Sequence, residues 1–301
     1  CMFAFSQNLE YVKFPKKYSC GFIGNNFFAN CLRLKRIEIP ETYTSIRAGA
    51  FYSCESLEYF KIRKDVKFEV YWTYAVNGTY KTRSSDSETG YRHFVYGDYA
   101  PFPTFGNCDN LTLEIEQRNV TNLPEGHIKE LVFLEGTESI NFKFWVDDFY
   151  HGQPYECQTI TFPKSVRLIS GRLKGIVETI NFPDECDYLE LSPKFFADVY
   201  NLKKVNLPKG LAFIPDSLFY NCTNLTTINI PDNVNKLGVG VFEECKELKT
   251  VKMSENVSII SEKTFLNCSK LENFLLPVAV KQIDKNAFGG VGFEKIMKYN
   301  R

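Results

Sequence analysis

Residues 221–234 read NCTNLTTINIPDNV, and related stretches follow at 244–257 (ECKELKTVKMSENV) and 267–280 (NCSKLENFLLPVAV). The three stretches begin twenty-three residues apart. In the first, the apolar residues Leu225, Ile228 and Ile230 are spaced too closely for one face of a helix and fit a short strand with one buried face. A motif that returns at a fixed period predicts a repeat architecture.

Phenylalanine marks the period most clearly. Cysteine follows it by three residues, leucine by six, and a proline closes most of the short strands that come next. The phenylalanine slot holds Phe28, Phe51, Phe196, Phe219, Phe242, Phe265 and Phe288; the cysteine slot holds Cys31, Cys54, Cys222, Cys245 and Cys268; the leucine slot holds Leu34, Leu57, Leu225, Leu248 and Leu271. The recurrence of several slots in register predicts one structural unit per period.

One such unit cannot bury its apolar slots alone, but stacked units can, because each slot then packs on its equivalents in the neighbouring repeats. The short strands are expected to pair in parallel, and the closing proline ends each strand because it lacks an N–H group. We therefore predict a right-handed, β-dominated α/β solenoid, with a parallel sheet on its concave side and irregular or short helical segments on its convex side. Residues 1–301 are predicted to form a single domain.

The stretch LTTINIPDNVNKLGVGVFEEC (225–245) resembles the leucine-rich repeat of the BspA-like family, the treponemal type found in bacterial surface proteins and in some parasitic protists. The resemblance extends from about Phe3 to Lys61 and from about Leu131 to the end. It implies a leucine-rich-repeat fold and an extracellular or cell-surface location. It also implies adhesion through protein ligands such as host extracellular-matrix or cell-surface proteins. No signal peptide is visible in CMFAFSQNLEYVKF, so we expect that a leader has been removed or that the sequence is a fragment.

Composition and motifs exclude several classes of function. The chain has 36 Lys and Arg residues and 36 Asp and Glu residues, so it has no net positive charge that would favour binding to nucleic acid. No apolar run reaches the ~20 residues of a membrane span. None of the three histidines, His93, His127 and His151, belongs to a metal-binding or catalytic motif. The sequence therefore predicts a protein that is not an enzyme and has no cofactor and no metal.

The ten cysteines admit two interpretations, a disulfide framework or a ladder of buried free thiols. Six of them, including Cys108, occupy the same repeat slot, as the leucines do. A small, easily buried side chain suits that slot without a covalent bond. We therefore predict that Cys222, Cys245 and Cys268 are buried and unbridged, and that Cys157, which falls in a leucine slot, is also in the core.

Residues 67–104 interrupt the repeat with many aromatic side chains. The alternation of Phe68, Val70, Trp72 and Tyr74 predicts a strand, SSDSETG predicts a polar loop tip, and 91–99 is a candidate returning strand. We expect a hairpin-like insertion. Its aromatic residues either form a core of their own or provide contacts for a ligand.

The residues between the buried slots of each strand are expected to point outward, because side chains alternate along a strand. In the N-terminal repeats these outward residues are aromatic and cationic, whereas further along they are small and neutral. Threonine is also simply a favourable residue for an exposed strand, so a solvated sheet face explains part of this pattern. The candidate binding surface comprises Tyr11, Arg36, Tyr59, Lys61, Tyr71, Tyr91, Tyr96, Thr227 and Asn229.

Two functions from different classes remain open. The first is protein–protein recognition or adhesion to host or neighbouring-cell proteins, with the tip of the insertion, Tyr59 and Lys61 as the recognition end. The second is a glycan-binding module in which the region of Trp72 and Tyr74 stacks on sugar rings. A glycan array set against a protein pull-down separates these two possibilities.

Overall fold

The computed structural model describes residues 2–15, 21–64, 66–69, 71–76, 79–84, 104–121, 123, 126–142, 155–173 and 175–292. The regular secondary structure of these ranges consists of twenty-four β-strands, and no helix occurs in them. The chain divides into two compact units. Unit 1 comprises residues 1–117, 122–131 and 152–156, and unit 2 comprises residues 118–121, 132–151 and 157–301. The assignment of residues 1–301 to one domain stays a prediction.

The strands are short in the regular repeats. In unit 1 they are β1 (Tyr11–Lys13), β2 (Phe22–Ile23), β3 (Arg36–Glu38), β4 (Ser45–Arg47), β5 (Tyr59–Ile62), β6 (Lys67–Glu69), β7 (Tyr71–Val76), β8 (Thr79–Ser84) and β9 (Phe105–Ile115). Next come β10 (Asn119–Val120), β11 (Gly126–Phe133), β12 (Ser139–Phe142), β13 (Tyr155–Thr161), β14 (Leu168–Gly171), β15 (Gly175–Asn181) and β16 (Glu190–Leu191). The last are β17 (Lys204–Asn206), β18 (Phe213–Ile214), β19 (Thr227–Asn229), β20 (Lys236–Leu237), β21 (Thr250–Lys252), β22 (Ile259–Ile260), β23 (Asn273–Phe274) and β24 (Gln282–Ile283). Strands β11 and β13 have residues in both units.

Each regular repeat contributes two short strands, one to each of two separate parallel ladders. The first ladder contains the strand that follows the leucine slot: β1 pairs with β3 and β5 with β9 in unit 1, and β15 pairs with β17 and β21 with β19 and β23 in unit 2. The second ladder contains the strand before the next phenylalanine: β2–β4–β6 in unit 1, and β10–β12–β14–β16, β18–β20 and β22–β24 in unit 2. The parallel sheet of a leucine-rich-repeat solenoid is thereby confirmed, and the second ladder is an addition to the prediction.

Between the two ladders lies a core in which equivalent side chains stack. In unit 1 the ring of Phe28 stacks on Phe51 with the centroids 5.5 Å apart. In unit 2 the rings of Phe219 and Phe242 are 5.5 Å apart and within 2° of parallel. All four rings are fully buried, as are the residues of the leucine slot. The spacing is close to that of paired strands, so the aromatic stack and the strand ladders share one repeat distance.

Hydrogen-bonded turns occupy the place where short convex helices were one of the two expected outcomes. Each regular repeat has two residues with positive φ, two positions before and two positions after its phenylalanine; in the repeat of Phe242 these are Gly240 (φ 63°) and Glu244 (φ 65°). A left-handed residue ends any right-handed helix, so a helix cannot form across this segment. The turns are joined by their own backbone bonds, for example from Phe219 N–H to the Val241 carbonyl at 2.9 Å.

The aromatic insertion contains an antiparallel hairpin. Strand β7 pairs with β8 from Tyr71 opposite Ser84 to Val76 opposite Thr79. The predicted strand over 68–74 thus overlaps β6 and β7, while residues 67–69 still pair with β4 in the second ladder. The candidate returning strand at 91–99 and most of the polar loop SSDSETG lie outside the described residues.

The repeat resumes directly after the insertion. Phe51 N–H donates to the Thr104 carbonyl at 2.9 Å, and the Phe51 ring stacks on Phe105 at 5.3 Å and 4°. These are the contacts that consecutive repeats make elsewhere, although Phe51 and Phe105 are more than two periods apart in sequence. Unit 1 therefore keeps its stacking frame across the insertion.

Candidate recognition surface and cleft

The outward residues of the first ladder in unit 1 form a continuous row. Tyr11, Arg36 and Tyr59 each begin their strand and are exposed, and Tyr11 is the register partner of Arg36. The residues that alternate with them, Ile37 in β3 and Phe60 in β5, are buried. The predicted outward orientation of Tyr11, Arg36 and Tyr59 is confirmed. We call Tyr11, Arg36, Tyr59 and Lys61 the tyrosine–arginine row.

Carboxylates from neighbouring strands hold this row in place. Lys13 Nζ lies 3.1 Å from Glu38 Oε2, and Lys61 Nζ lies 2.9 Å from Glu116 Oε2. The Tyr59 hydroxyl donates to Glu114 Oε2 at 2.6 Å. Sequence reasoning missed Glu114 of β9 and Glu116, which follows that strand, because the insertion separates them from β5. Phe105, Cys108 and Leu111 keep the repeat spacing, but this spacing assigns Glu114 to the buried slot nine residues after the phenylalanine, which Phe60 holds after Phe51. In the structure Leu113 is the buried register partner of Phe60, and Glu114 pairs with the outward Lys61.

These contacts lower the pKa values of the carboxyl groups beside the row and raise the pKa of the Tyr59 phenol within it. Hydrogen bonding from the Tyr11 phenol, and then from Lys13, lowers the pKa of the Glu38 carboxyl. Burial, assisted by the hydrogen bond to Glu114, raises the pKa of the Tyr59 phenol to about 12. The hydrogen bond from Lys61 lowers the pKa of Glu116. At neutral pH the surface therefore presents charged carboxylates, charged amines and neutral phenols.

Arg36 is the most loosely paired cation of the row. Its NH2 atom lies 4.0 Å from Glu38 Oε1, beyond hydrogen-bond distance, and its side chain is 70% exposed. Glu38 is meanwhile engaged by Lys13 and by the Tyr11 phenol. Arg36 is therefore held less closely by its carboxylate partner than Lys61 is by Glu116.

A cleft of about 760 Å³ opens beside this row, between β3 and β5. Both strands belong to the first ladder, but within the described residues no strand pairing joins β3 to β5, and the backbone bond between their starts runs from Glu58 N–H to the Lys35 carbonyl at 3.3 Å. The floor of the cleft is apolar and its rim is charged. The floor includes Phe14, Ile37, Tyr43, Ile46, Phe60 and Val66, and the rim includes Lys13, Arg36, Glu38, Glu41, Lys61 and Arg63.

The other five predicted surface residues belong to other elements or lie outside the described residues. Thr227 and Asn229 are exposed on β19 of unit 2, in register with Thr250 and Lys252. Tyr71 begins β7 of the hairpin in unit 1. Tyr91 and Tyr96 lie outside the described residues. The structure thus groups Tyr11, Arg36, Tyr59 and Lys61, and the contribution of the other five residues stays a prediction.

The cysteines have the character of core residues. The eight in the described ranges are free and buried, including Cys157 and all six of the shared slot. Burial raises the pKa of the Cys108 and Cys245 thiols to about 12, so they stay protonated and unreactive at neutral pH. The predicted free thiols of Cys222, Cys245 and Cys268 are confirmed.

Neither a metal site nor a membrane span emerges from the described ranges. They hold no cluster of His, Cys, Asp and Glu side chains suited to a metal ion. They also hold no helix with the length and apolar character needed to cross a bilayer.

Comparison with known proteins agrees with the repeat. The BspA type leucine rich repeat region matches the chain in six copies, over residues 1–81 and 172–294. No curated protein gives a significant match. A leucine-rich repeat protein from Bacteroides ovatus is 19% identical, with a TM-score of 0.47 over 95% of this chain and 77% of that chain. A leucine rich cell surface protein from Faecalibacterium prausnitzii is 19% identical, with a TM-score of 0.35 over 96% and 80%. The T. pallidum leucine rich repeat protein is 20% identical, with a TM-score of 0.40 over 54% and 70%.

Proposed function

Because this chain belongs to the BspA-type leucine-rich repeat family, we propose that it is a non-enzymatic recognition protein that binds another protein through the tyrosine–arginine row. Family membership supports a binding scaffold and names no partner. The partner proposed is a host or neighbouring-cell protein, met at the cell surface or in the extracellular space.

The single observation that carries this proposal is the exposure of two tyrosines and an arginine on three strands of the first ladder. Tyr11 is 47% exposed and Tyr59 is 42% exposed, although both are large aromatic residues. Tyrosine and arginine are the residue types enriched at binding hot spots, because they combine buried area with hydrogen-bonding ends. The hydrogen bond from Tyr59 to Glu114 and the one between Tyr11 and Glu38 fix both phenols before a partner arrives. Such preorganisation lowers the entropy cost of binding.

The ion pairs along the row support specificity more than affinity. Lys13, Lys61, Glu38 and Glu116 alternate in charge and are partly exposed. Exposed ion pairs contribute little stability, roughly 0–1 kcal/mol each. Charged groups at the rim of an interface instead select partners with the complementary pattern and reject others.

A direct binding experiment tests the proposal. The full 301-residue chain is immobilised and offered a panel of purified extracellular-matrix and cell-surface proteins, in parallel with a glycan array. We expect at least one protein to bind, with a loss of at least about tenfold in the Tyr11→Ala variant, as for a hot-spot aromatic residue. Lys204→Ala serves as the matched control, because Lys204 is an exposed outward residue of β17 in unit 2. Binding to glycans alone, or protein binding that Tyr11→Ala leaves unchanged, contradicts the proposal.

A further inference from the structure

We propose that the cleft between β3 and β5 binds an extended acidic segment of the partner protein, with one apolar side chain on the cleft floor and a neighbouring carboxylate on Arg36. This inference rests on the proposed function, since it specifies the part of a protein partner that the tyrosine–arginine row recognises. It draws on three independent features: the charge of the rim, the nature of the floor and the break in strand pairing.

The rim has an excess of positive charge. Four basic and two acidic side chains line the cleft, namely Lys13, Arg36, Lys61 and Arg63 against Glu38 and Glu41. Arg63 NH1 lies 3.3 Å from Glu41 Oε1, and Lys13 and Lys61 have their own carboxylates. That leaves the Arg36 guanidinium, 4.0 Å from Glu38, as the group best placed to form a two-pronged bond with an incoming carboxylate.

The floor suits an apolar side chain. Phe14, Ile39 and Pro40, which line the cleft, are only half-buried, whereas Ile46 and Phe60, which also line it, are buried residues of the repeat core. A volume of about 760 Å³ lies within the range of sites that enclose a small ligand or a few side chains. A ligand with a charged group alone leaves this floor in contact with water, so the geometry favours a segment that carries both kinds of group.

The break in pairing favours a peptide over a small amphipathic acid. Strand β3 pairs with β1 and strand β5 pairs with β9, and no strand pairing joins β3 to β5 in the described chain. Strand edges carry N–H and C=O groups that an extended peptide can bond, in the manner of a strand added to a sheet. A fatty acid offers no such groups.

Fluorescence anisotropy with the full chain tests the inference. Three labelled heptapeptides serve as probes: an acidic peptide with a central leucine, the same peptide with a central glycine, and a basic peptide with a central leucine. We expect the acidic leucine peptide to bind at least about tenfold more tightly than either of the others, and added salt to weaken it. Decanoate is included as a competitor that has the acid and the apolar chain without a peptide backbone.

Substitution of the rim gives the second readout. Arg36→Gln is expected to lower the affinity for the acidic leucine peptide by about tenfold, the loss typical of one charge-assisted hydrogen bond. Lys252→Gln removes an exposed cation from β21 of unit 2 and is expected to leave binding unchanged. Both side chains are exposed, and thermal melting verifies that both variants fold. Equal binding of acidic and basic peptides, tighter binding of decanoate than of peptide, or an Arg36→Gln variant with unaltered affinity overturns the inference.

The two proposals fail in different ways. A partner protein whose binding is lost in Tyr11→Ala but retained in Arg36→Gln removes the cleft inference and keeps the proposed function. The absence of any protein partner in the panel, together with tight binding of the acidic peptide, points to a peptide site in a protein whose proposed function is wrong.

Discussion

The thiol of Cys245 donates a hydrogen bond of 3.0 Å to the carbonyl oxygen of Phe219, which lies in the preceding repeat. The same oxygen accepts the backbone N–H of Cys222 at 3.2 Å, so two donors use its two lone pairs. The relationship recurs along the stack: Cys31 donates to Phe3, Cys54 to Phe28, Cys108 to Phe51, Cys222 to Phe196 and Cys268 to Phe242. The cysteine slot is therefore a donor position within the core.

The donor role can be separated from simple filling of space. Cys245→Ala removes both the sulfur and the donor, whereas Cys245→Ser removes volume but keeps a hydroxyl that can donate to the Phe219 carbonyl. We expect urea denaturation to show a loss of about 1–3 kcal/mol for Cys245→Ala and a smaller loss for Cys245→Ser. If the slot requires only apolar volume, the serine variant is the less stable of the two, because a buried hydroxyl is costly to desolvate.

The buried thiols make stability depend on pH. Burial raises the pKa of Cys245 to about 12 from a usual value of 9.0. Below pH 9 the thiol is protonated in both states and its contribution is complete; as the pH rises above 9 the unfolded thiol ionises and the folded one does not, so stability falls. At pH 10 the loss is about 1 kcal/mol for each such thiol.

The comparison of stability at pH 8 and pH 10 in the parent and in Cys245→Ala isolates this effect, because other titrating groups cancel. The variant is expected to lose less stability over this interval. Parallel pH profiles contradict the assignment.

The leucine slot is expected to be the most sensitive position of the repeat. Leu248 is fully buried in the stack, so Leu248→Ala opens a cavity and should cost about 2–5 kcal/mol. Lys252→Ala, four residues later on the exposed face of β21, should change stability by less than about 0.5 kcal/mol. Similar unfolding midpoints for the two variants show that the core is not organised by this slot.

Substitutions at the position two residues before the phenylalanine are expected to change stability in opposite directions in different repeats. Gly240 and Lys263 both lie two residues before their phenylalanine, with φ of 63° and 59°. Left-handed backbone is unstrained for glycine and strained for lysine. Gly240→Ala should therefore destabilise the chain by about 1 kcal/mol, and Lys263→Gly should be neutral or stabilising by up to the same amount. Thermal melting distinguishes this from a general cost of glycine, under which Lys263→Gly destabilises as well.

The pKa of the Glu38 carboxyl group reports on the hydrogen bond that it accepts from Tyr11 of the tyrosine–arginine row. The pKa of Glu38 is lowered first by the hydrogen bond from the Tyr11 phenol and then by Lys13. Tyr11→Phe should raise it toward its ordinary value, which a carbon NMR titration of the side-chain carboxyls measures. Glu116, whose pKa is lowered chiefly by Lys61, is the internal control and should not move. Equal shifts at both glutamates indicate a general change of the surface instead.

The sequence predicted the first ladder and the core because Leu225 and Ile228 repeat at a strong, regular period. It did not predict the second ladder, since a strand such as Lys236–Leu237 has two residues and one buried side chain, too short for a periodicity. The left-handed turns were hidden wherever Glu244 or Lys263 stands in place of glycine or asparagine. The bond from Tyr59 to Glu114 was missed because it joins residues 55 positions apart across an insertion.

The contact between Phe51 and Phe105 has an engineering consequence. The phenylalanine stack continues after the insertion with its usual ring contact and its usual turn bond to Thr104, so the segment between Glu69 and Thr104 is inserted without breaking that stack. Such a point is a suitable site for the insertion of other sequences. A foreign domain whose termini lie close together can be grafted there. The same site allows the inserted segment to be replaced in evolution while the repeat fold is preserved.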